Sequence, residues 1–199
     1  MSDLPDMRHK LAERFTTPVA KALSKTGVTP NTLTVAGFLV SIAAAVLVAK
    51  EYFLAGGVVV LLAGAFDLLD GPLARATAKA TRFGAFLDST LDRLSEAAVI
   101  AGILAYYAYH GCTWESMLAY ATFTGSVMVS YLRARAEGLG VKCEVGIFTR
   151  AERVIVMSIG LMIGQWIDMA IPVMLGIITA LAFVTVIQRL VHVQRAEKT

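Results

Sequence analysis

Six long stretches of the chain are apolar, and short polar segments separate each from the next. A helix that crosses a bilayer needs roughly 20 mostly apolar residues. The clearest stretch covers 32–50 and opens at Thr29-Pro30-Asn31, with Asn31 as the expected N-cap. The others cover about 52–79, 82–110, 114–138, 150–167 and 169–193. No sustained period-2 alternation competes for strands. The pattern predicts an all-α membrane protein with six transmembrane helices. Ahead of them, over 3–25, Leu4, Met7, Leu11, Phe15, Val19 and Leu23 recur at helical spacing among basic residues. That segment reads as an N-terminal interfacial amphipathic helix on the cytosolic surface, interrupted at Pro18. No repeat or linker divides the chain, so 1–199 reads as a single membrane domain.

Composition sharpens this. Hydrophobic residues make up 57% of the chain and mean hydropathy is +0.67, against about 45–50% apolar residues in soluble domains. A net charge of +3 gives no footprint for nucleic acid. Lys and Arg set the orientation through the positive-inside rule. Of the 18, all but Lys50 and Arg93 fall in the N-terminal segment, toward the C-terminus, or around the junctions of the second with the third and the fourth with the fifth stretch. Both termini are therefore expected in the cytosol. Cys112 and Cys143 then fall on opposite sides and are not expected to pair. Trp114 and Trp166, with Tyr106, Tyr107 and Tyr109, are expected as an aromatic belt at the outer boundary. Gly160 and Gly164 form a small-xxx-small pair suited to helix contact or dimerisation.

The exceptions to the apolar pattern carry the chemistry. Asp67, Asp70, Asp88 and Asp92 lie within the second and third stretches. A centrally placed Asp costs roughly 2.5–3.5 kcal/mol on insertion scales. Tyr52 to Asp67 covers about 22 Å of helix and Asp92 to Tyr109 about 25 Å, so both sets sit in the cytosolic third of a core about 30 Å thick. Spacings of i, i+3 and i, i+4 put each pair on one helix face. If the two helices are antiparallel neighbours joined near Ala80-Thr81, four carboxylates converge. Repulsion in such a site is relieved by divalent cations, and oxygen-only ligands suit Mg²⁺, Mn²⁺ or Ca²⁺. Two such ions beside a phosphate suit phosphoryl-type chemistry. Gly71, Ala74 and Gly84 remove bulk beside the acids, and Arg75 is a candidate anion clamp. A purely structural alternative pairs Asp70 with Arg75, and Asp92 with Arg93 or Arg82.

Read together, Asp67, Asp70, Gly71, Ala74, Arg75, Gly84, Asp88 and Asp92, with every gap between them, carry the complete signature of the CDP-alcohol phosphotransferases, and the chain resembles that family over nearly its whole length. The resemblance implies transfer of a phosphatidyl-type group from a CDP-linked lipid (CDP-diacylglycerol or an archaeal equivalent) to an alcohol, with release of CMP. It implies two Mg²⁺ or Mn²⁺ ions held by the four Asp, with Asp92 also the general base. Gly71, Ala74 and Gly84 would border the cytidine, and Arg75 and Thr81 would contact the diphosphate. It further implies a homodimer in the cell membrane with its active site facing the cytosol.

The acceptor reads less directly. Arg133, Arg153 and Arg189 match the basic positions by which the inositol-phosphate-using subgroup holds its acceptor's phosphate, and Arg135 could replace Arg133. Three Arg near one pocket suit an anionic acceptor, although the positive-inside rule also places Arg at cytosolic helix ends. Inositol phosphate is the favoured acceptor, and glycerol 3-phosphate, serine or another alcohol the alternatives. A membrane prenyltransferase would carry its Asp motifs on non-adjacent helices, and a cation transporter would need access from both faces.

Overall fold

The computed structural model describes residues 27–77 and 80–196. The surface helix expected over 3–25 lies outside them. Six helices follow in order: α1 (Pro30–Ala49), α2 (Phe53–Ala76), α3 (Arg82–Tyr109), α4 (Thr113–Gly138), α5 (Arg150–Gly164) and α6 (Ala170–Ala196). Among the described residues there is no strand. Each helix falls on one of the six apolar stretches. Local signals explain several starts. Thr29, not Asn31, caps α1: its hydroxyl accepts the Thr32 N–H at 3.2 Å. Pro30 takes the first helical position, where a missing N–H costs nothing. Thr81 caps α3 by accepting the Gly84 N–H at 2.9 Å. At α5 the backbone N–H of Thr149 donates to Glu152 at 2.8 Å, half of a capping box.

The packing departs from the expected arrangement in one respect that matters. α2 and α3 are consecutive but touch only slightly; α1 packs along both. Gly102 of α3 permits this, since a Cβ there would stand 2.4 Å from the carbonyl oxygen of Ala45. α2 also packs on α5, α4 on α3 and α6, and α5 on α6. The fully buried centre joins Ala44 and Val48 of α1, Ile103 of α3, Leu161 of α5, and Leu175 and Ile178 of α6. Gly160 and Gly164 face Met174 and Ile171 of α6, whose atoms would lie 2.5 Å from an added Cβ. The pair therefore serves a contact inside the chain, not one between chains.

Three helices, Pro30–Ala49, the Phe53–Arg75 part of α2, and Ala170–Ala196, are long and apolar enough to cross a membrane by composition. α5, at 15 residues, is short for that role, and α3 and α4 dilute their apolar residues with charged and hydroxyl side chains. All six helices nonetheless point large apolar side chains outward, among them Leu39, Leu62, Leu94, Val127, Ile159 and Ile177. Tyr109, Trp114 and Trp166 are exposed at one end of the bundle, as a belt requires. Tyr107 is instead buried in the core, and Tyr106 meets Phe53 edge-on at 4.8 Å. Both cysteines are free.

The α1–α3 approach makes a prediction. Gly102→Ala should destabilise the protein by about 1–3 kcal/mol through overpacking, read as a lower Tm in detergent. Gly176→Ala, whose Cβ would meet open space, should not lower it.

Candidate active site

The end of the bundle opposite the aromatic belt holds the acids. α2 supplies Asp67 and Asp70, and α3 supplies Asp88 and Asp92. α1 packs along both helices, and the closest partners of the four acids come from α1 and α5 as well as from one another. Asp70 is buried, and its carboxyl group interacts directly with that of Asp88. Thr34 of α1 donates to Asp70 at 3.0 Å. Asp67 and Asp92 are linked by a residue from α5: Arg150 places Nη2 2.6 Å from Asp67 and Nη1 2.9 Å from Asp92. The Asp67 contact is a hydrogen bond. The Asp92 contact is ionic only, because Asp92 Oδ1 is buried with no hydrogen-bond partner. Asp88 stands near enough to Asp67, Asp70 and Asp92 to repel each of them, so the four carboxylates form one cluster at this end of the bundle. Among the described residues, no three His, Cys, Asp or Glu side chains stand close enough to form a ready metal group. The pairings of Asp92 with Arg93 or Arg82 are not those found: Arg93 donates to the Ser89 carbonyl, and Arg150 serves Asp92.

Beside Asp70 and Asp88 lies a cavity of about 250 Å³ between α1, α2 and the start of α3. Every residue expected to touch the CDP group lines it: Gly71, Ala74, Arg75, Thr81 and Gly84. The glycines keep it open. A Cβ on Gly71 would meet nothing nearer than Arg75 Nη1 at 3.8 Å, so it would enter the cavity itself. A Cβ on Gly84 would press on Thr81 Oγ1 at 3.0 Å and Asn31 Oδ1 at 3.1 Å. Pro30, Asn31, Thr34 and Ala85 complete the wall. The first three come from α1, which the spacing of acids in α2 and α3 does not reveal; Asn31, an amide at a helix start, was read only as a cap.

The three candidate acceptor residues lie beyond α2, on α4, α5 and α6. Arg153 is 1% exposed and grips Glu96 of α3 through Nε at 2.6 Å and Nη2 at 2.8 Å. Its Nη1 is buried without a partner. Arg189, also buried, donates Nε to the Val145 carbonyl at 3.0 Å and Nη1 to that of Val129. Arg133 is half-exposed and pairs with Glu137 at 2.9 Å. Arg133 and Arg153 both stand near enough to Arg189 to repel it. Arg135 is exposed. Two functional neighbours thus escaped the spacing argument: Glu96, one turn after Asp92 on the same face of α3, and Arg150, one turn before Arg153 on α5.

An oxygen-only donor set, more negative charge than one guanidinium balances, and a buried Asp92 oxygen that accepts no hydrogen bond together fit hard divalent cations.

Comparison with known proteins shows the family. The model of the CDP-alcohol phosphatidyltransferase family matches residues 27–189. The archaetidylinositol phosphate synthase of Methanothermobacter thermautotrophicus is 39% identical over 185 residues, covering 90% of this chain and 89% of its own. The phosphatidylinositol phosphate synthase of Mycobacterium tuberculosis is 35% identical over 198 residues, covering 96% and 90%. A crystal structure of the M. tuberculosis enzyme with manganese and citrate superposes with a TM-score of 0.84 at 34% identity, covering 90% of this chain and 88% of that one. A second, with CDP-DAG bound, gives 0.83, covering 90% and 94%. Signature, cavity and relatives converge: the chain is an enzyme of the CDP-alcohol phosphotransferase type and belongs to the CDP-alcohol phosphatidyltransferase family.

Proposed function

We propose that this enzyme moves a phosphatidyl-type group from a CDP-linked lipid to a hydroxyl of inositol phosphate, releasing CMP, with its active site at the cytosolic face of a six-span bundle. One observation carries the reading: the signature residues of α2 and α3 wall a cavity directly beside the acidic cluster. Outward-facing apolar side chains on all six helices support six spans, including the three less apolar ones. A homodimer belongs to the same reading on family grounds.

In this reading Asp67, Asp70, Asp88 and Asp92 hold two Mg²⁺ or Mn²⁺ ions, which supply charge neutralisation for the diphosphate and the leaving CMP. The M. tuberculosis relative, solved with manganese, supports that choice. Gly71, Ala74 and Gly84 admit the cytidine, and Arg75 and Thr81 address the diphosphate. The acceptor hydroxyl attacks the lipid-side phosphorus, the bond to CMP breaks, and the hydroxyl proton passes to the Asp92 carboxylate. Oδ1 of Asp92 is buried and accepts no hydrogen bond, its contact with Arg150 being ionic, which suits a base that must accept a proton.

The acceptor reading rests on Arg153. A guanidinium 1% exposed, anchored on two prongs by Glu96, leaves one buried N–H group without a partner. A buried donor without a partner is costly, and an acceptor phosphate answers it with a charge-assisted bond. Arg189 and Arg133 add positive charge nearby. The archaetidylinositol and phosphatidylinositol phosphate synthases among the relatives point to the same acceptor.

Two experiments test the proposal. CMP release from CDP-diacylglycerol and its archaeal ether analogue, with Mn²⁺, should be fastest with inositol phosphate; a preference for glycerol 3-phosphate or serine would refute the acceptor assignment. Asp92→Asn should lower kcat by about 10²–10⁴-fold, the usual share of a general base, while CDP-lipid still binds. Retained turnover would remove Asp92 from that role.

A further inference from the structure

The Asp67–Asp92 pair has a resident partner on α5 that competes for the oxygens a divalent ion would need. Arg150 reaches Asp67 Oδ2 at 2.6 Å and Asp92 Oδ1 at 2.9 Å with two separate nitrogens of one guanidinium. It is mostly buried, and its charge is well placed to balance both acids. Yet its anchoring is incomplete. The Asp92 contact lacks hydrogen-bond geometry, and Arg150 Nε is buried with no partner. Beside it lies a void of about 20 Å³ bounded by Ser41, Asp67, Ser95, Glu96 and Arg150, large enough for one water. Arg153, one turn further along α5, also leaves one buried nitrogen without a partner but makes two hydrogen bonds, both to Glu96, where Arg150 makes one, to Asp67. Arg153 is thus fixed to one acid on two prongs, whereas Arg150 is divided between two acids, with a hydrogen bond to one and an ionic contact to the other.

We infer that Arg150 is an exchangeable counterion: it balances Asp67 and Asp92 until a divalent ion takes their oxygens, and must leave them for the ion to bind. This rests on the metal reading above. The physical argument is one of competition. A carboxylate oxygen committed to a guanidinium at hydrogen-bonding distance has fewer lone pairs for a cation, and two positive groups cannot share it without repulsion. The exchange makes Arg150 a positioning residue. It keeps α2, α3 and α5 in register through a charge that either group can supply. A purely structural salt bridge acts the other way: by holding the two carboxylates in place it would favour metal binding, and its removal would weaken it.

The sign of one measurement separates these roles. Mn²⁺ binding to the full-length protein in detergent is measured by the loss of the free-ion EPR signal, for wild type, Arg150→Gln and Arg150→Lys. Exchange predicts Mn²⁺ binding about tenfold tighter in Arg150→Gln, as expected when a competing charged hydrogen bond is removed. It predicts a smaller gain in Arg150→Lys, whose single ammonium contacts fewer oxygens. It also predicts a lower Tm for Arg150→Gln in chelator, with a larger rise on adding Mn²⁺. If Arg150→Gln fails to fold without metal, the Arg150→Lys comparison decides alone. Equal or weaker Mn²⁺ binding in the variants overturns the inference while leaving the metal reading intact. Absence of Mn²⁺ binding in all three proteins overturns both.

Discussion

Negative charge sunk into an apolar helical bundle must be balanced where it stands, and much of this molecule answers that demand. Four aspartates on α2 and α3 lie at one end of a bundle whose outer surface is apolar. Water is too scarce there to solvate them, and repulsion would drive them apart or protonate them. The protein answers with a guanidinium from α5 between Asp67 and Asp92, and with a hydroxyl from α1 on Asp70. Glu96, one turn below Asp92, meets Arg153 in the same way. Acids on α3 and arginines on α5 thus form two successive rungs between helices whose backbones scarcely meet.

That balance shapes the fold as well as the chemistry. α1 lies along both α2 and α3, and an opening is left between the three helices beside Asp70 and Asp88. The opening becomes the cavity lined by Gly71, Ala74 and Gly84. Close approach at Gly102 brings α1 in from one side. The arginines of α5 and α6 close the other, with Arg189 tying the α4–α5 loop and α4 to α6 through backbone carbonyls. The cavity and the candidate acceptor site each adjoin acids of α2 and α3, Asp70 and Asp88 at one and Glu96, a turn from Asp92, at the other.

Much of this was legible along the chain because helical periodicity is local. Charge interrupting an apolar run exposed Asp67, Asp70, Asp88 and Asp92, and their fixed gaps identified the family. The small residues beside them fell where the cavity lies. Partnerships between distant segments were not legible. Arg150 has the look of one more basic residue at a helix start, because nothing local says that it reaches Asp67, 83 positions earlier, and Asp92. Glu96 blended into the charged part of α3. Asn31 was read as a cap because its role in the cavity wall depends on α1 entering between its two successors. Gly160 and Gly164 announced a close contact, but not which surface would fill it. Three helices are long and apolar enough to cross a membrane by composition, while α3 and α5 carry Glu96 and Arg153, which pair inside the bundle.

The central claim is that these acids hold divalent ions next to a nucleotide cavity. Anomalous diffraction at the manganese edge, from crystals grown with Mn²⁺ and a CDP-lipid, tests it most directly. The account predicts manganese peaks among Asp67, Asp70, Asp88 and Asp92, with cytidine density against Gly71, Ala74 and Gly84. Manganese bound elsewhere, or cytidine outside that cavity, would contradict it.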